Sequence, residues 1–301
     1  MYVKLVTILL FSLPHVTRSK RLPSGNTSCA ITDSIIKYTY DRISNSTVRK
    51  YPYEYTIVEE VFEPSFYEKC ILPYFPSAKS HIFSKQGARE RYSVRMKGTE
   101  YSGLMKGKNM DSEVRKLDAF WKNMTDAFAG DYLQNLWIQK FEATLTNRFP
   151  DLSNQLAKER FYYRWDLASD RTGYEISPHT DSIDKLITIL FYLPKGDTYK
   201  SFGTTVYESR DGLDDGGFMR TYENPNWRKQ FVAVERGPFV PNTVFAFAPC
   251  QSSWHGVENV AGKAVHRDTI QSFITIKSQM KMAKPKKGLR RALLARRCAA
   301  P

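Results

Sequence analysis

The chain has 301 residues, with 45 Lys and Arg against 31 Asp and Glu, a formal net charge of +14; 42% of its residues are hydrophobic and 14% aromatic. Its 18 Phe, 18 Tyr and 5 Trp supply ample apolar area for a core, which excludes disorder over the whole length. Four cysteines, Cys29, Cys70, Cys250 and Cys298, show no CxxC spacing, so neither a zinc knuckle nor a dense disulfide framework is indicated.

The positive charge sits at the ends. Residues 277–301 hold nine basic residues and no acid, and residues 1–50 hold eight basic residues and two acids; the segment between them has 28 basic against 29 acidic residues. Basic ends attract nucleic acid or anionic membrane by an unspecific Coulomb attraction, but a solvated tail is the favoured reading. Near the start, Lys4 precedes an apolar run from Leu5 to Leu13 broken by Thr7 and Ser12. That outline is signal-like and too short to span a bilayer, and no small-x-small cleavage site follows. Sequons stand at Asn26, Asn45 and Asn123, against about 1.6 expected by chance in this composition. Location stays open between the cytoplasm, which is favoured, and the secretory pathway.

In chain order, residues 1–50 read as a basic, loosely ordered extension and 278–301 as a basic tail, flanking a domain over 51–277. Within it, 51–160 reads as a helical preface. Tyr51–Phe62 alternates like a strand, Glu63-Pro64-Ser65 opens a helix carrying Phe66, Cys70, Ile71, Tyr74 and Phe75, and Asp111 to about Leu145 repeats Val114, Leu117, Phe120, Trp121, Met124 and Phe128 at helical spacing. Gly130 divides this stretch into two helices. Residues 161–277 contain short β-prone runs at 161–168, 174–181, 186–193, 203–208, 230–235, 243–248 and 268–277, separated by Gly, Pro and Asp/Asn turns. The fold class predicted is mainly β, an antiparallel sandwich or barrel with flanking helices on one outer face. Residues 209–229 are too long for a hairpin turn and read as a lid or binding loop.

The chemistry-bearing residues lie in the second half. His179 and Asp181 are two apart, so in a strand they share a face and offer a nitrogen and a carboxylate oxygen to one point; alone, HxD is equally a turn Asp beside a surface His. His255, in SSWHGVE, completes two imidazoles and one carboxylate, which occupy one face of an octahedral ion and leave the other open. Trp254 beside it is read as packing. Arg267, Thr269 and Gln271 share one face of the last strand, where a guanidinium beside a hydroxyl would receive a carboxylate. A buried Arg267 requires a ligand or an acid partner; the alternative is that it faces water beside His266 and Asp268.

The order HxD, distant His, then Arg a dozen residues on resembles the Fe(II)- and 2-oxoglutarate-dependent dioxygenases of bacterial and phage type. The resemblance extends through GYEISPHTDS, KLITILFYLP, GTTVY, PFVPNTVFAFAP and SWHGVE, and covers roughly 160–277. It implies a double-stranded β-helix (jelly roll, cupin-like) core packed on N-terminal helices. It also implies His179, Asp181 and His255 as iron ligands and catalytic centre, and Arg267 as the clamp for the distal carboxylate of 2-oxoglutarate. Thr269 is then a companion to Arg267, while Tyr174 and Tyr163 are either hydroxyl donors to the co-substrate or barrel packing. Dioxygen is the second co-substrate, with ascorbate an optional addition, and the products include succinate and carbon dioxide. Halogenating members carry a small residue where Asp181 stands, so its presence favours hydroxylation of a peptide, sugar or small molecule. Two rivals keep the fold: a non-oxidative zinc or manganese cupin-like enzyme using the same three ligands, and an inactive jelly-roll module whose basic ends hold nucleic acid.

Overall fold

The computed structural model describes residues 29–76, 84–85, 90–96, 112–128, 130–149, 161–182, 184–213, 226–262, 265–276 and 298–299. The signal-like start, the sequon at Asn26, most of the tail and the centre of the 209–229 loop lie outside them. The chain divides into two units, residues 1–30 and residues 31–301. Everything below concerns the second.

Eleven strands are described. The large sheet has the order β1 (Tyr55–Val58), β9 (Thr243–Phe247), β6 (Lys185–Tyr192), β11 (His266–Ile276), β4 (Phe161–Arg171), β3 (Arg91–Met96) and β2 (Ser84–Lys85). The small sheet runs β5 (Ile176–His179), β10 (His255–Val257), β7 (Thr205–Ser209) and β8 (Phe231–Arg236). From β4 onward the chain alternates between the sheets, crossing from β4 to β5 to β6 to β7 and, after the β7–β8 hairpin, from β9 to β10 to β11. Every pairing is antiparallel. That winding gives a double-stranded β-helix, in which two sheets face each other over a shared interior.

Period-two patterning sorts the faces. On β4 and β11 the register pairs Arg267 with Asp170, Thr269 with Ala168 and Gln271 with Asp166, and these side chains share the interior face. The opposite face carries Trp165 and Leu167, both fully buried. That face is covered from the preface. Phe128 of α4 (Ser112–Phe128) meets Trp165 with ring centroids 6.3 Å apart, Trp165 meets Phe191 at 5.7 Å, and Phe191 stacks on Phe62 at 5.1 Å. Asn242, in the turn before β9, donates from Nδ2 to the Phe62 carbonyl and accepts the Phe62 N–H at Oδ1. The barrel is thereby tied to the preface at both ends of one amide.

Two regions differ from expectation. Within the extension assigned to 1–50, α1 (Asp33–Ser44) is a three-turn helix capped by Thr32, and its Tyr40 stacks on Tyr132 of α5 (Asp131–Lys140) at 4.3 Å. Lys140 Nζ then donates to the carbonyl of Ser46, just past the end of α1, at 2.6 Å. The preface, read as helical after its first strand, also contributes β2 and β3, which extend the large sheet beyond β4. Before α4 it supplies a short helix, α2 (Pro64–Phe66), a π-helical turn over Tyr67–Ile71, and α3 (Leu72–Tyr74). Gly130 separates α4 from α5 as expected, and α6 (Glu142–Arg148) follows.

Candidate metal centre and co-substrate pocket

His179 ends β5 and His255 opens β10, and the two are register partners across that antiparallel pair. Strand pairing therefore puts residues 76 positions apart side by side, with ring centroids at 4.2 Å. The fit is possible because Gly256 follows. A Cβ there would lie 2.6 Å from the Ile176 carbonyl oxygen and 3.2 Å from the Tyr207 ring, so a larger residue would force β10 away from its neighbours. Asp181 stands two residues past the end of β5. One ligand atom from each of His179, Asp181 and His255 lies within 4.8 Å of the others, and His255 Nε2 is 3.9 Å from Asp181 Oδ2.

The surroundings fix how these groups point. His179 Nδ1 lies 3.1 Å from the Ser177 carbonyl and His255 Nδ1 lies 2.9 Å from that of Ser253. A nitrogen at Nδ1 facing a carbonyl carries the proton, which leaves each Nε2 with a lone pair, the tautomer a metal requires. Asp181 accepts from Thr188 Oγ1 at 2.5 Å and from Lys185 Nζ at 2.6 Å, both on β6. Burial, and for His179 also the neighbouring His255, disfavours the charged imidazoles: His255 is shifted down and His179 is pushed down to about 3. Burial alone would raise the Asp181 carboxyl, but the Lys185 ammonium and the two imidazoles hold it well below the usual carboxylate range. Two neutral imidazoles and one carboxylate are the protonation states in which this set binds a divalent ion.

Arg267 is 1% exposed and faces the interior. It has an acid partner. Its Nη1 donates to Asp170 Oδ2 at 2.8 Å, and its Nε donates to the Phe202 carbonyl at 2.6 Å. Asp170, itself fully buried, is shared with Arg91, which donates from Nε at 2.6 Å and from Nη2 at 3.0 Å. Two guanidinium groups thus surround the Asp170 carboxylate, and with Asp166 on the same face paired to Arg164, one positive charge is left over among the described residues. The Arg267 guanidinium also lies 5.7 Å from the ring centre of Tyr192 and 5.4 Å from that of Phe239. Thr269, two residues along the same face, is fully buried and its Oγ1 has no hydrogen-bond partner among the described residues. A buried hydroxyl with no partner beside an excess charge fits an anionic, hydrogen-bonding ligand. Thr188, which holds Asp181, and Tyr192, which flanks Arg267, are four residues apart on one face of β6, about 13 Å along the strand.

The tyrosines fall differently. Tyr174 is 1% exposed and packs in one core cluster with Tyr192, Phe202 and Phe239, and the Arg91 guanidinium lies 4.6 Å from its ring centre. Tyr163 has the parity of Trp165, with ring centroids 6.1 Å apart, so it lies on the helix-covered face, away from Arg267. Trp254 donates from Nε1 to the Leu213 carbonyl and packs on Phe231, a structural contact that seats one end of the 209–229 loop. Sequence reasoning missed Lys185, Thr188, Asp170 and Arg91. Lys185 stands four residues from Asp181; Asp170 and Arg91 are recognisable only once the strand register is known.

No protein-family model and no curated protein matches the chain. Solved structures with similar folds include a prolyl-4-hydroxylase of Pseudomonas putida (11% identity, TM-score 0.44, covering 79% of this chain and 98% of that one). Another is a prolyl hydroxylase of Trichoplax adhaerens in complex with a hypoxia inducible factor oxygen degradation domain peptide (13% identity, TM-score 0.47, covering 84% and 98%). A third is a 2OG-Fe(II) oxygenase family oxidoreductase of Burkholderia pseudomallei (11% identity, TM-score 0.40, covering 93% and 98%). The double-stranded β-helix is read from this chain's own strand order and antiparallel pairings.

Proposed function

We propose that the chain is an Fe(II)- and 2-oxoglutarate-dependent dioxygenase that hydroxylates a C–H bond of its substrate. The observation that carries this reading is the pairing of two sites in one barrel interior: the His179/Asp181/His255 cluster, and a buried Arg267 with the partnerless Thr269 hydroxyl beside it. Fe(II) held by the three ligands would supply the open coordination positions at which the keto-acid and dioxygen meet.

The chain's own groups do the rest. His179 and His255 present Nε2, oriented by the carbonyls of Ser177 and Ser253. Thr188 and Lys185 hold the Asp181 carboxylate. The excess charge of the Arg91–Asp170–Arg267 cluster receives the distal carboxylate of 2-oxoglutarate, with Thr269 Oγ1 donating to the same group. Tyr192, Phe239 and Phe202 wall this end of the interior with apolar surface, which keeps water from the guanidinium and strengthens its hold on an anion. The carboxylate at Asp181 fills a place that a halide would need, which favours hydroxylation over halogenation.

The test uses the full chain loaded anaerobically with Fe(II) and then exposed to air and 2-oxoglutarate. Slow succinate release without added substrate is expected, lost in Asp181→Ala together with iron binding. Protein that retains zinc or manganese, binds no 2-oxoglutarate and forms no succinate would transfer the same three ligands to non-oxidative chemistry. Substrate is then sought by mass spectrometry of cell extract, as products heavier by one oxygen atom that vanish when 2-oxoglutarate is omitted.

A further inference from the structure

Two features lie outside the metal chemistry. Cys250 and Cys298 are joined by a disulfide across 48 positions, and no free cysteine occurs among the described residues. The Cys250 end is fully buried. The Cys298 end is seated against α6, where Asn147 Nδ2 donates to the Cys298 carbonyl at 3.1 Å and the Ala299 N–H donates to Thr144 Oγ1 at 3.2 Å. A bond built into the packing in this way belongs to oxidising compartments, because glutathione and thioredoxin keep cytosolic thiols reduced. The disulfide supports the secretory alternative that the sequence left open.

Among eukaryotic chains, the oxidising compartment that forms disulfides is also the one that glycosylates Asn-x-Ser/Thr, and the structure separates two of the three sequons. Asn123 lies within α4, between the buried residues Trp121 and Met124, and the Thr125 of its sequon is 2% exposed with its hydroxyl donated to the Trp121 carbonyl. That sequon is part of the helix packing. Asn45 differs on each count. It caps the C-terminus of α1, it is exposed, and the Thr47 of its sequon is exposed too. Beside it runs an open groove of about 420 Å³ lined by Asp41, Arg42, Ser46, Arg49 and Glu59 among others. Carboxylates, guanidinium groups and hydroxyls around an open groove suit the hydroxyls of a carbohydrate.

We propose that Asn45 is an N-glycosylation site and that the chain matures in an oxidising, glycan-adding compartment. The donor is an oligosaccharide linked to a lipid pyrophosphate. Asn45 Nδ2 attacks its anomeric carbon, the C–N bond forms as the bond from that carbon to the phosphate oxygen breaks, the amide gives up one proton, and the lipid pyrophosphate leaves. No oxidant or reductant is consumed. The first sugars then lie over the groove beside α1.

The full chain with its own N-terminus is expressed in eukaryotic cells, and its peptides are mapped after enzymatic glycan release in heavy-oxygen water. The expected result is Asn45 converted to a labelled Asp, Asn123 unlabelled, and the Cys250 and Cys298 peptides linked until reduction. Asn45→Gln and Thr47→Ala should each abolish the label at position 45; the second keeps the asparagine and removes only the sequon hydroxyl. An unlabelled Asn45, a label that survives Thr47→Ala, a labelled Asn123, or free thiols at Cys250 and Cys298 would each overturn the proposal.

Discussion

Replacing Arg267 by Met separates the structural from the functional task of this side chain. The substitution keeps most of the volume against Tyr192 and Phe239 but removes the guanidinium. Breaking a buried ion pair costs about 3–5 kcal/mol. Here the cost should fall near the lower bound, about 3 kcal/mol, because Asp170 keeps two hydrogen bonds from Arg91. The effect on 2-oxoglutarate is worked separately. A charge-assisted hydrogen bond is worth about 1.5–3 kcal/mol, so losing a two-pronged contact costs at least about 3 kcal/mol, roughly a 150-fold weaker affinity.

The assay is anaerobic calorimetric titration of 2-oxoglutarate into metal-loaded protein, with metal affinity and urea unfolding measured on the same preparation. The expected pattern is a folded variant with normal metal binding and a co-substrate affinity lower by about two orders of magnitude. Arg91→Met removes the other guanidinium on the same face and cancels the excess charge while Arg267 itself remains, so its effect should be smaller, up to about fivefold. If Arg267→Met folds and binds 2-oxoglutarate as the parent does, Arg267 serves only to neutralise Asp170, and the assignment of the pocket is wrong.

Other outcomes follow from the same geometry. Thr188→Val removes the hydroxyl that holds Asp181 and should weaken Co(II) affinity about 10–100-fold, read from the visible spectrum on titration; an unchanged affinity would show that Lys185 alone orients the carboxylate. Cys298→Ser opens a 48-residue loop and should cost about 4 kcal/mol by the chain-entropy estimate, measured by urea unfolding without reductant; a loss below about 1 kcal/mol would count against that estimate here. Asp268, on the face of β11 opposite Arg267, is raised by burial to about 6, against the pull of a hydrogen bond from Ser169. Its folded form binds the proton more tightly than the unfolded chain, so stability falls as pH rises from about 4 to about 6. Asp268→Asn should therefore stabilise the protein at pH 7.5 by up to about 3 kcal/mol and have little effect at pH 4; equal shifts in melting temperature at both pH values would contradict the sign.

How much of this was legible in the sequence follows from where each signal resides. Besides β1, seven strands were readable because each shows a run of β-prone residues between turn formers, and those strands begin and end within a few residues of the runs. β10 was not, since three residues carry no period; only the Gly after His255 marked it, and its meaning depends on the Ile176 carbonyl that it approaches. α1 was missed because its buried stripe is thin, with Thr39 and Ile43 alone fully covered; the Thr32 cap and the Tyr40–Tyr132 stack hold it. The three metal-ligand candidates stood out because histidines are few and one lies two residues from an acid. Tyr163 was harder to place, since one step of strand parity moves a side chain from the pocket to the helix layer. The partner of Arg267 was unreadable for a related reason. Asp170 becomes its neighbour only through the β4–β11 register, across 97 positions.

That register also explains why the barrel tolerates so many buried charges. Arg91, Asp170 and Arg267 come from three adjacent strands, and their side chains meet because β3, β4 and β11 place them in successive paired rows, Arg91 and Arg267 each opposite Asp170. Desolvating three ions would be prohibitive if each were alone. Placed in one row they satisfy most of one another's hydrogen bonds, and the backbone carbonyl of Phe202 takes another donor. The arrangement still stops one charge short of neutrality. A second buried acid on that face, Asp166, is itself paired with Arg164, and Thr269, the interior neighbour of Arg267, carries a hydroxyl with no partner among the described residues. An apolar residue at 269 would have cost less in the empty barrel. A hydroxyl and a surplus guanidinium charge on one face, on the strand adjoining the one that steadies Asp181, are the groups that the proposed co-substrate site would use.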